Sequence, residues 1–169
     1  MSHAANKVKW CLDKAKKEIT EKRKHRGLVK AAPARDLAYQ HLAKAEHNFK
    51  AVLYFERGGF TDWSVSAGFY CLYHCLMAVL AKHGYESRNQ ECTLAAIDYL
   101  IEQKTFMLDK KFIDALKQYD ESERHETNVI ELREILQYGV SVKAESKELV
   151  KIKELCKEAI DAVKDIISA

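Results

Sequence analysis

The sequence predicts an all-α protein, an antiparallel bundle of six or seven helices, and three observations carry that expectation. One proline and six glycines in 169 residues are too few breakers for a chain of sheet turns. Apolar residues recur at steps of three and four rather than alternating, which is the period of a helix face. A content of 47% hydrophobic and 31% charged residues suits one packed core, so residues 1–169 read as a single domain.

The segment "NKVKWCLDKAKKEITEKRKHRG" spaces Val8, Leu12, Ala15 and Ile19 as a narrow apolar stripe among lysines. It predicts an amphipathic helix over 4–26, with Gly27 as its stop. "LVKAAPAR" reads as a link, and Pro33 suits the start of the next helix. That helix carries Leu37, Leu42, Ala45, Phe49, Val52 and Phe55 and ends at "RGG". Thr61 or Asp62 can cap a third helix from about residue 63 to 83, which is apolar nearly all round and so belongs at the centre of a bundle or at an interface. "HGYESRNQE" reads as a turn, with Ser87 or Asn89 as the cap of a fourth helix bearing Leu94, Ile97, Tyr99, Leu100 and Ile101. A short element, "DKKFIDALKQYD", precedes a helix in "ESERHETNVIELREILQYG" that Gly139 stops. A long final helix over 146–167 places Leu149, Ile152, Leu155, Cys156, Ala159, Ile160, Val163 and Ile166 on one face.

Charge is uneven. Residues 1–36 hold eleven Lys/Arg against four Asp/Glu, and the other 133 residues hold seventeen against twenty-one. A basic amino-terminal element on a mildly acidic body can meet an anion such as nucleic acid, or the body of a second copy, although a solvated helix face gives the same composition. The most apolar run, "AGFYCLYHCLMAVLA", is fifteen residues, short for a bilayer core of about 30 Å, and no leader is evident. The expectation is a cytoplasmic protein with no membrane contact. Five cysteines, Cys11, Cys71, Cys75, Cys92 and Cys156, are read as reduced thiols.

Cys71 and Cys75 share a helix face and could offer two thiolates, completed by His74, His83 or Cys92, yet cysteines inside so apolar a helix also pack as small hydrophobes. No metal and no cofactor are assigned. A thiol, Ser64 or Ser66 would need a base such as His74 for nucleophilic catalysis, and each has an ordinary packing or capping role. No glycine-rich phosphate loop follows a strand. Tyr70 and Tyr73 lie three apart on one helix face, suited to a core, a dimer interface or a base-stacking platform.

The stretch "HLAKAEHNFKAVLYFERGGFTDWSVSAGFYCLYHCLMAVLAKHG" resembles the two-helix core of the HEPN superfamily: an alanine-rich helix, a glycine turn, Asp62 and Trp63 opening the next helix, then an aromatic pair and an apolar run. "ELREILQYG" resembles that family's carboxy-proximal motif, with Arg133 in the arginine position, Gln137 where many relatives have an acid, and Tyr138 where ribonucleases have histidine. The resemblance covers about residues 37–139. It implies an up-and-down bundle of four to five core helices within about residues 34–140, leaving the basic amino-terminal helix and the carboxy-terminal helix outside.

It also implies a homodimer whose motif helices line a shared cleft. Members are metal-independent ribonucleases, toxins paired with a nucleotidyltransferase antitoxin, or noncatalytic modules that bind nucleotides, RNA or partners. Arg133, Gln137 and Tyr138 are then the ligand-binding candidates, with Tyr70, Tyr73 and His74 as additional ones. Arg133 and Tyr138 are also the catalytic candidates, with His125 or His74 as an alternative base. A histidine titrates near neutrality, whereas a free tyrosine has a pKa of about 10 and glutamine is no base, so binding survives these residues better than cleavage does. A cation near a helix end followed by glycine also arises simply from helix termination.

Overall fold

A computed structural model describes residues 2–117 and 128–169. Among these residues the helices are α1 (His3–Thr20), α2 (Arg35–Arg57), α3 (Thr61–Lys82), α4 (Gln90–Glu102), α5 (Lys111–Asp114), α6 (Val129–Tyr138) and α7 (Ser146–Ser168). Helix α3, which has no polar face to give to solvent, packs against α2, α4, α6 and α7. Residues from Val8 to Ile167 join one buried apolar cluster around it. The molecule is an all-α bundle. Helix α7, beyond the stretch that carries the motif resemblance, packs against α2 and α3.

Helix α3 is 22 residues long, and by length and composition it could cross a membrane although its most apolar run is fifteen residues. Most of that stretch, 78%, is buried within the bundle. Gly68 lies at its middle because α7 comes close: a Cβ there would stand 2.4 Å from Cγ2 of Ile152. Gly68→Ala is therefore expected to lower unfolding free energy by about 1–3 kcal/mol through overpacking. Ile152→Ala, which removes the obstructing methyl, should make the two losses less than additive in a denaturant cycle.

The caps follow local chemistry. Asn89 accepts the Cys92 N–H at 3.0 Å to start α4, and Asn128 accepts the Glu131 N–H at 3.1 Å to start α6. The Asn128 amide also donates to the carbonyls of Asp114 and Lys117, fixing α6 against the end of α5. Thr61 does not cap α3. Its hydroxyl accepts the Ala144 N–H at 3.0 Å and ties the α6–α7 connection to the start of α3.

Three expectations are corrected. The link and turn contain strands β1 (Leu28–Lys30) and β2 (Tyr85–Ser87), paired antiparallel with Val29 opposite Glu86. Gly84 makes the pairing possible: its φ is +76°, and a Cβ would meet the Ala31 carbonyl at 2.7 Å. Helix α1 ends at Thr20, where Lys22 turns left-handed with φ 55° and the Glu18 carboxylate takes the Arg26 N–H at 2.5 Å. Its buried face is Ala4, Val8, Cys11, Ala15 and Glu18, so Ile19 stands half exposed. Small residues let α1 approach α4 closely. Finally, Cys11 and Cys92 are not free thiols but form a disulfide between α1 and α4, with Cα atoms 5.8 Å apart.

Candidate anion-binding site on helices α3 and α6

Arg133 sits on the middle of α6, on the side that packs against α3. Its side chain is only 18% exposed, and its guanidinium carbon lies 4.2 Å from the centre of the Phe69 ring. A guanidinium laid on an aromatic face keeps its planar fork while losing much of its water. Its Nε is buried and has no hydrogen-bond partner, and Glu134 approaches one terminal nitrogen only at 3.9 Å. Part of this cation's donor capacity is therefore held in place and unused.

Phe69 is the residue that pattern reading missed as a platform. It is 3% exposed, and the Tyr73 ring stacks on it at 6.1 Å with 7° between planes. Tyr70 meets it edge-on at 5.1 Å. One helix turn of α3 thus supplies the aromatic floor beneath an arginine 64 positions later. Tyr73 is anchored from behind: its hydroxyl lies 3.2 Å from Oγ1 of Thr93, which donates to Ser87 at 2.8 Å. Burial raises the Tyr73 pKa, against the smaller opposing effect of that hydrogen bond. Tyr73 is a supporting group. Tyr70, half exposed, is the one of the pair that a ligand can reach.

His74 lies beside Tyr73, but its Nδ1 faces that of His41 on α2 at 3.0 Å. One of the two must carry the proton between them. Burial, then the neighbouring His41 and Lys44 charges, depress the His74 pKa to about 4, and burial lowers His41 as well. A histidine neutral in the folded chain but ordinary in the unfolded one makes the unfolded state bind more protons between these values. Stability should therefore fall as pH drops from about 6.5 towards 4, losing what is fully present above it. Urea midpoints across that range test this, and His74→Gln should flatten the dependence.

The motif residues are not all brought together. Five residues along a helix is a rotation of about 140°, so Arg133 faces α3 while Tyr138 is 83% exposed at the α6 end. Among the described residues Tyr138 makes no hydrogen bond or ring contact with Arg133. Gln137 is exposed on the same end. His125 lies outside the described residues. The cysteine–histidine set is dispersed: Cys92 is in the disulfide, His83 stacks on Phe106 at 5.0 Å, and Cys71 lies within thiol hydrogen-bonding reach of Cys75 and Cys156 in the core. Among the described residues no group of three or more His, Cys, Asp or Glu side chains is placed to hold a metal ion.

The fold is an all-α bundle whose central helix α3 backs a largely buried arginine on the neighbouring helix α6. The family model for the HEPN domain matches residues 38–169. The chain belongs to the HEPN-domain family, which places it among nucleotide- or RNA-binding and nuclease-like modules in general. The match takes in α7, in keeping with the packing of that helix on α2 and α3, and leaves α1 and β1 outside. No curated protein matches the chain.

Proposed function

We propose that this protein is a noncatalytic HEPN module that binds RNA or a nucleotide through Arg133. The observation that carries the reading is the guanidinium held on Phe69, with Glu134 only at 3.9 Å from one terminal nitrogen, a cation whose preformed planar fork suits a phosphate. Half-exposed Tyr70 offers a ring for stacking at the same floor. The reading takes residues 1–169 as one domain acting as a homodimer. Its second copy would bring Tyr138 and Gln137 to a shared cleft, because both are exposed where α6 ends. Pairing with a nucleotidyltransferase antitoxin is the finest form of the reading, and only the likeness to the family supports it.

The test is incubation of the purified chain with RNA in the presence of a chelator, followed by both a binding and a cleavage measurement. Binding without cleavage is the expected result. Metal-free cleavage that disappears in Arg133→Ala would instead make the protein a ribonuclease. A dimer with no affinity for RNA or nucleotide would make it a structural interaction protein.

A further inference from the structure

We infer that α1 is a second binding surface, one that takes single-stranded polynucleotide and is separate from the Arg133 site. It lies outside the family match, and it is fastened rather than loosely appended. Ala4, Val8, Cys11 and Ala15 bury one face, and the Cys11–Cys92 disulfide secures that face to α4. The opposite side is thereby held outward.

That side carries Trp10, half exposed, with the ammonium groups of Lys7 and Lys14 over its ring at 4.5 and 5.0 Å. Lys17 follows seven residues after Trp10, about 10 Å further along nearly the same face. Lys7 is balanced by an ion pair with Glu91. Lys9, Lys16, Lys17, Lys22 and Lys24 have no ion pair among the described residues. An accessible indole with Lys14 over its ring and Lys17 further along the same face, neither in an ion pair among the described residues, combines the two contacts that a single strand offers, a base face to stack and phosphates to neutralise. An anionic membrane fits less well. The apolar face of α1 is already spent on the core, and only Trp10 and Ile19 remain outward as large apolar groups.

The experiment is a fluorescence-anisotropy titration of the full oxidised chain with a labelled uridine oligomer of about twenty nucleotides, long enough to span several stacking contacts. Trp10→Ala is expected to weaken binding about tenfold, and Trp10→Phe to retain most of it. Lys14→Gln/Lys17→Gln should weaken binding and reduce the salt slope by about 1.4, for two phosphate contacts. In a Trp63→Phe background, quenching of the remaining tryptophan should track binding. These positions are on the surface, and unchanged thermal midpoints confirm folding. Unchanged affinity in both α1 variants overturns the inference, even if Arg133→Ala abolishes binding. Loss in the α1 variants with Arg133→Ala unaffected supports it while removing the other site. Association with phosphatidylserine vesicles but not the oligomer, or self-association in place of oligomer binding, would also overturn it.

Discussion

Removal of the Cys11–Cys92 disulfide is expected to lower unfolding free energy by about 4 kcal/mol, a large part of the total for a domain of this size. The bond closes a loop with a sequence separation of 81, and the chain-entropy relation for a loop of that length gives about 4–4.5 kcal/mol. Reducing agent should lower the denaturant midpoint, and the Cys11→Ala/Cys92→Ala variant should lower it further because both sites are fully buried. Loss should concentrate in α1. That helix touches the body mainly through α4 and β1, whereas α2, α3 and α7 hold one another. Hydrogen exchange in reduced protein should accordingly rise first across His3–Thr20, while α3 remains protected. Such a bond is unusual in a reducing compartment, so its state in the cell is itself informative about where the protein works.

The helices were legible because each has a face of the right period, and α3 was legible as the centre because it has no polar face at all. What stayed hidden depended on contacts between distant segments. Nothing near Cys11 shows that Cys92 will lie beside it, since proximity arises only when α1 docks on α4. The same docking explains why the α1 stripe is only partly as expected: Val8 and Ala15 are buried and Leu12 packs against the core, but Ile19 stands half exposed. Close approach to α4 adds the small residues Ala4 and Cys11 to the buried side beside Val8 and Ala15. Strands of three residues are too short to display alternation, so β1 and β2 looked like connections. At the candidate site, Arg133 stood out by its place before Gly139, and Tyr70 and Tyr73 by their spacing. Phe69, the residue that touches Arg133, was merely one more apolar position on an apolar helix. The histidine pair of His41 and His74 likewise joins two helices and left no local trace.

Arg133→Ala is expected to have the largest effect on binding. A charge-assisted hydrogen bond contributes about 1.5–3 kcal/mol, so losing the fork from a partly desolvated position should weaken phosphate binding by about ten- to a hundredfold. Arg133→Lys keeps the charge but not the planar fork or its fit to Phe69, and should recover only part of the loss. Stability should change little by comparison, because truncation also removes the buried, unpartnered Nε. The most direct test is a calorimetric titration with a short RNA of the Trp10→Ala protein and of its Arg133→Lys and Arg133→Ala derivatives, so that α1 does not mask the result. Affinities that fall in that order, with folding intact, are what an Arg133–Phe69 phosphate site predicts. Equal affinities in all three would contradict it.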